Sequence, residues 1–180
     1  MTFMELCKFR QSNRKYKTQP VEREKIERCL EAARIAPSAC NSQPWYFVVI
    51  DDPELRAKVA RETFGVILNF NHFSMTAPVM VVVVTEPSNL TARVGSVIKN
   101  RPYNLIDIGI AAEHFCLQAA EEDLGTCMLG WFNEKPLTKM LNIPANKKID
   151  LVITMGYPDD KPRDKTRKTI DEIRHYNVEK

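Results

Sequence analysis

Residues 79–85 read Val-Met-Val-Val-Val-Val-Thr, an uncharged and almost wholly β-branched run without polar alternation. β-branched side chains are stiff at χ1 and suit a pleated strand. A strand with one wet face alternates apolar and polar residues, whereas one covered on both faces reads as a continuous apolar run. Val79 to Thr85 is therefore expected to be a central strand buried on both sides. At 180 residues the chain is long enough for one domain with a full core, spanning residues 1–180.

Further strands are expected at Trp45 to Ile50 (buried), Thr126 to Trp131 and Lys148 to Met155. Helical patterns alternate with them. Thr2-Phe3-Met4-Glu5 has capping-box spacing and opens a short helix to about Phe9. Val21 to Ala36 is amphipathic: Val21, Ile26, Cys29, Leu30 and Ala33 share one face, and Glu22, Arg23, Glu27 and Arg28 face away. Asp51 or Asp52 caps a helix over Pro53 to Arg61. Phe64 to Ser74 reads as a short helix or irregular cover, and Pro87 to Pro102 as a polar, mobile segment bordering a substrate opening. Leu105 to Leu124 is the strongest helix, apolar nearly all round, with Gly125 as its C-terminal cap. In so small a chain, such a helix suggests burial between subunits. Short helices at Lys135 to Leu141 and Ile170 to His175 complete an α/β or α+β fold around a central sheet.

Composition narrows the function. Hydrophobic residues make up 44% and charged residues 27%, with a net charge of +3, too mild to imply nucleic acid by itself. The distribution says more. Lys8, Arg10, Arg14, Lys15 and Lys17 face no acid within residues 6–21, and Lys161, Arg163, Lys165, Arg167 and Lys168 face only Asp164 within residues 161–168. Either these are two solvated surface segments, or they converge on one anion. Five cysteines without a Cys-x-x-Cys pair argue against a disulfide framework or a zinc site and for a reducing compartment. Cys29, Cys116 and Cys127 lie in apolar patterns, while Cys40 lies within a candidate ligand loop and is assigned no chemistry. Glu5 and Lys8 interrupt any signal-peptide pattern, and the apolar run Ala77 to Val84 is too short for a bilayer, so a cytoplasmic protein without a membrane partner is expected.

Four motifs carry candidate chemistry. In Ala36-Pro37-Ser38-Ala39-Cys40-Asn41-Ser42-Gln43-Pro44-Trp45, Pro37 should stop the preceding helix and Pro44 start an extended segment. Between them Ser38, Asn41, Ser42 and Gln43 suit a neutral, polar ligand, or simply a helix-to-strand turn. Arg10-Gln11-Ser12-Asn13-Arg14 offers planar forks apt for phosphate, with Ser12 as a further donor, or an ordinary surface arginine pair. Leu129-Gly130-Trp131-Phe132 supplies a glycine where backbone can approach a ligand, and Lys165-Thr166-Arg167-Lys168 is the basic tail. A Gly-x-Gly-x-x-Gly loop, a phosphate-cradling Gly-x-x-x-x-Gly-Lys-Ser/Thr, a Gly-x-Ser-x-Gly elbow and a His-Glu-x-x-His helix are all missing, and His72, His114 and His175 are isolated.

Taken together and in this order, these motifs resemble the nitroreductase family of flavin enzymes, of which this chain would be a compact member. The resemblance implies an α+β sandwich with a central, mostly antiparallel sheet flanked by helices, and a homodimer. It implies FMN as cofactor, NADH or NADPH as donor, and a small nitroaromatic, quinone or similar acceptor reduced in a ping-pong cycle. Arg10, Ser12, Lys165 and Arg167 would hold the phosphate and nearby ribityl chain, with Lys168 an alternative in the tail. Arg14 would lie near the pyrimidine end of the ring. Pro37, Ser38, Asn41 and Gln43 would meet ribityl or ring, partly across the dimer, and the backbone of Leu129 and Gly130 would meet the ring. No catalytic side chain and no metal ligand is implied. Alternatives are flavin breakdown or reductive dehalogenation on the same fold, or a flavin-storage protein.

Overall fold

The computed structural model describes residues 1–65 and 69–177. Strands β1 (Trp45–Ile50), β2 (Val79–Thr85), β3 (Gly125–Leu129) and β4 (Lys148–Gly156) form one antiparallel sheet in the order β1-β2-β4-β3. Among the described residues seven helices accompany it: α1 (Phe3–Phe9), α2 (Arg23–Arg34), α3 (Pro53–Arg61), α4 (Leu90–Lys99), α5 (Tyr103–Glu121), α6 (Glu134–Met140) and α7 (Ile170–Ile173).

The valine run is the inner strand its composition demands, and all seven of its residues are buried. Its period-two alternation sorts the core into two layers. Val79, Val81 and Val83, with Ile153 and Met155 of β4, pack against Ile26, Cys29 and Ala33 of α2 and Ile108, Ala112 and Phe115 of α5. Met80, Val82 and Val84, with Val152 and Ile149, pack against Val59 and Ala60 of α3 and Leu137 of α6. Helices thus flank both faces of an antiparallel sheet, the α+β class.

Local signals set the helix starts. Thr2 and Glu5 exchange both capping-box hydrogen bonds at α1, and Asp52 accepts the Leu55 N–H at α3. Some expectations change. Among the described residues β1 is an edge strand paired only with β2, so Tyr46 stays 51% exposed rather than buried. Residues 87–102 contain α4: Leu90, Val94 and Ile98 recur at helical spacing, although all three side chains face outward. The turn after α5 is made by Asp123, whose φ is 61°, not by Gly125. Gly125 instead opens β3, where a Cβ would stand 2.6 Å from Cγ of Asn13. Of the cover expected over residues 64–74, positions 66–68 lie outside the described residues; a short 3-10 turn follows at His72–Thr76. α5 buries one face, but Leu105 and Ile106 remain 46% and 53% exposed within the single chain.

Candidate functional site

α1 ends at Phe9, and the chain then runs alongside β3. Ser12 bridges Thr126 in parallel, and the Asn13 N–H donates to the Thr126 carbonyl at 2.8 Å. The bare Cα of Gly125 makes room for Asn13 there. Tyr16 and Pro158 form a second bridge, so the stretch leaving β4 runs back beside the N-terminal motif. Asp160 fastens the two: its carboxylate accepts from Asn13 Nδ2 at 2.6 Å and from the Arg14 N–H at 3.0 Å. Gln11 adds two bonds to the tail, accepting from the Arg163 N–H and donating to the Lys161 carbonyl. Arg163 also donates to the Ser12 carbonyl.

These pairings bring Arg10, Ser12, Arg14, Arg163, Lys165 and Arg167 around one cleft of about 240 Å³. Asp164 is the one carboxylate among the described residues that line it. The two basic clusters noted in sequence therefore converge. Their cations are not equivalent. The Arg10 Nε pairs with Glu113 Oε1 of α5 at 3.2 Å. Arg14 is exposed and lies beside Cys127 of β3: burial raises that thiol's pKa, and the Arg14 charge opposes the rise. The Lys165 ammonium is directed at the C-terminal end of α1, donating to the carbonyls of Cys7, Lys8 and Arg10. Burial, then the charges of Arg10 and Arg167, lower its pKa. Arg167 is exposed, its Nη1 donating to the neighbouring Thr166 carbonyl at 2.8 Å.

The loop after α2 is elsewhere. Cys40, Asn41 and Gln43 all have left-handed φ, at 52°, 49° and 46°. Ser38 Oγ accepts the Gln43 N–H at 2.9 Å, and Gln43 Nε2 donates to Asn41 Oδ1 at 3.0 Å, so the loop's polar side chains partly satisfy one another. Pro37, Asn41 and Gln43 are exposed, and Ser38 is half-buried. The loop rests on α4 and on α5, where Asp107 Oδ1 accepts the Ala39 N–H at 3.0 Å. None of Pro37, Ser38, Asn41 or Gln43 lines the basic cleft of its own chain. At the far end of β3, Leu129 is buried, while Gly130 is exposed with open space where a side chain would be. Gly130 lies four residue steps beyond Thr126, which sits beside Ser12, or about 13 Å along the strand direction.

Sequence reasoning did not assign roles to Asp160, Gln11, Asn89 or Asp107. Asp107 had a readable signal, an acid within the apolar stretch Leu105 to Ile110; it is 3% exposed, and its Oδ2 has no hydrogen-bond partner among the described residues. Among the described residues no group of three His, Cys, Asp or Glu could hold a metal, and no helix is long and apolar enough to cross a membrane.

The sequence matches the nitroreductase family model over residues 7–157. The chain belongs to the nitroreductase family. It is 33% identical over 158 residues to an Archaeoglobus fulgidus protein provisionally named NADH dehydrogenase/NAD(P)H nitroreductase, covering 84% of this chain and 82% of that one. It is 25% identical over 180 residues to an iodotyrosine deiodinase of Thermotoga neapolitana, covering 88% and 90%. The solved structure of an FMN-dependent nitroreductase from Clostridium difficile superposes with a TM-score of 0.78 at 26% identity, covering 98% and 99%.

Proposed function

We propose that this nitroreductase-family chain is an FMN-dependent oxidoreductase that takes electrons from NADH or NADPH and delivers them to a nitroaromatic, a quinone or a related small acceptor. The observation that carries this reading is the cleft where Arg10, Ser12, Arg14, Arg163 and Arg167 meet beside β3. Its donor chemistry fits a phosphate, since guanidinium forks match phosphate oxygens in pairs. The open backbone at Gly130, about 13 Å along the strand, fits the approach of a flat ring. The family relatives named for NAD(P)H and FMN support the same assignment.

When bound, FMN supplies the two-electron redox chemistry, and the protein's part is to hold and tune it. Arg10, Ser12 and Arg167 would hold the phosphate, with Lys165 adding its charge to the cleft while it caps α1. Arg14, beside Cys127 of β3, would stabilise negative charge on the ring. Leu129 and Gly130 present backbone to it. Pro37, Ser38, Asn41 and Gln43 complete the site from a second copy of the chain, because in their own chain they stand apart from the cleft. The exposed Leu105 and Ile106 of α5 supply an apolar face for that homodimer.

A second reading is reductive dehalogenation, favoured by the relative named iodotyrosine deiodinase. The test has two stages. Heat-released ligand from the purified protein, identified by chromatography, should be FMN; FAD alone, or failure to reconstitute with FMN, would overturn the cofactor assignment. Stopped-flow reduction by NADH and by NADPH, followed by mixing with a quinone, a nitroaromatic or a halotyrosine, separates the acceptors. Reduction without turnover of any acceptor would indicate flavin storage.

A further inference from the structure

Asn89 lies outside the basic cleft, immediately before α4, and engages through three of its polar groups. Its backbone N–H donates to Ser42 Oγ at 2.9 Å. Its Nδ2 donates to the Cys40 carbonyl at 3.0 Å. Its Oδ1 accepts the Ala92 N–H at 2.9 Å, the geometry that caps the first turn of a helix. One side chain thus serves α4 and the loop after α2 together.

That loop needs holding. Left-handed φ at Cys40, Asn41 and Gln43 brings each Cβ against the backbone, and no glycine relieves it. Such geometry persists only where surrounding contacts over-determine it. The Ser38–Gln43 bond is internal to the loop, and Asp107 acts at its first turn through Ala39. Among the described residues, Asn89 is the side chain from another element that grips the strained centre.

We propose that Asn89 is a positioning residue: it holds Ala39 to Gln43 in the shape that receives the cofactor, and it couples α4 to that loop. The proposal rests on the reading of this loop as part of the FMN site. Because the same side chain caps α4, whatever settles the loop also settles the first turn of α4.

Two variants separate clamp from cap. Asn89→Ala removes both side-chain bonds. Asn89→Ser keeps a neutral capping oxygen for Ala92 and the backbone bond to Ser42, but is too short to reach the Cys40 carbonyl. Apoprotein is titrated with FMN while flavin fluorescence quenching is followed. Both variants are expected to bind FMN about three- to tenfold more weakly than wild type, the effect of one lost hydrogen bond. Wild-type affinity in Asn89→Ser would reduce Asn89 to a helix cap and overturn the proposal. If Asn89→Ala fails to fold, Asn89→Ser carries the test alone. Hydrogen exchange gives a second readout. Saturating FMN should slow exchange of the α4 amides in wild type but not in Asn89→Ser, and equal slowing in both would overturn the coupling. Failure of wild type itself to bind FMN is a separate result, which removes the cofactor reading instead.

Discussion

Arg10 and Arg14 share a lip of the cleft but keep different company, Arg10 with Glu113 of α5 and Arg14 beside Cys127 of β3. Two-electron reduction of a flavin can leave negative charge near its pyrimidine end, and a guanidinium there favours the reduced form. Only that difference between the two states moves the potential. Charge-assisted hydrogen bonds contribute about 1.5–3 kcal/mol, and for a two-electron couple about 1.4 kcal/mol corresponds to 30 mV. Arg14→Gln should therefore lower the midpoint potential of bound FMN by ~30–60 mV, read by dye-coupled equilibrium reduction. Arg10→Gln should leave the potential nearly unchanged and weaken FMN binding about ten- to hundredfold. The reverse pattern would exchange their roles. Lys165 adds a pH dependence. Its pKa is lowered from the ordinary 10.5, and a bound phosphate would raise it again. Its contribution to affinity is complete below the lowered value and lost as pH climbs through the pKa of the complex. FMN affinity should therefore begin to fall before pH 10.5, and the part of that fall due to Lys165 should vanish in Lys165→Arg.

At the scale of elements, the site depends on how closely the Arg10–Arg14 stretch lies along β3. Gly125 is the contact that allows it, since a Cβ would meet Cγ and Oδ1 of Asn13 at 2.6 and 2.7 Å. Relief requires Asn13 to swing away, which breaks its bond to Asp160 and loosens the tail from the motif. Gly125→Ala should cost about 1–3 kcal/mol in a denaturant melt, as overpacking does. Its FMN affinity should fall as well, because Arg163 and Arg167 lose their register with Arg10. A variant with normal affinity would show that the tail finds the cleft without this clamp. The bonds are also traceable in reverse: Asp160→Ala removes the clamp at its other end and should give the same loss of affinity.

At the scale of the whole molecule, the proposed site draws on two regions that one chain keeps apart. The loop carrying Pro37, Ser38, Asn41 and Gln43 lies on α4 and the N-terminal part of α5, away from its own cleft. α5 leaves Leu105 and Ile106 exposed, while α4 does the same with Leu90, Val94 and Ile98. Isolated exposed apolar residues are ordinary, but helical rows of them mark surfaces that other surfaces cover. Sedimentation at dilute protein should show a dimer, and Leu105→Glu with Ile106→Lys should give monomer with loss of bound flavin. A monomer that retains FMN stoichiometrically would place the whole site within one chain.

Local sequence was enough for the four strands, for six of the seven helices among the described residues and for the class of the fold. The valine run had to be an inner strand because Val79 to Val84 carries no polar side chain on either face, and the strand is buried throughout. Thr2 with Glu5, and Asp52, placed helix starts because a cap acts within three residues of itself. The basic clusters were visible as charge. Their meeting was not, since Asn13 reaches Asp160 across 147 residues and such a pairing leaves no period in the chain. The polar context of Pro87 to Asn89 concealed α4, whose cap is tied to a loop 49 residues earlier. β1 read as buried because an apolar run does not say whether a strand lies inside a sheet or at its edge. Lys165 looked like Arg167 in sequence. Tertiary structure set them apart by placing the ammonium over three orphan carbonyls at the end of α1 and leaving the guanidinium at the surface.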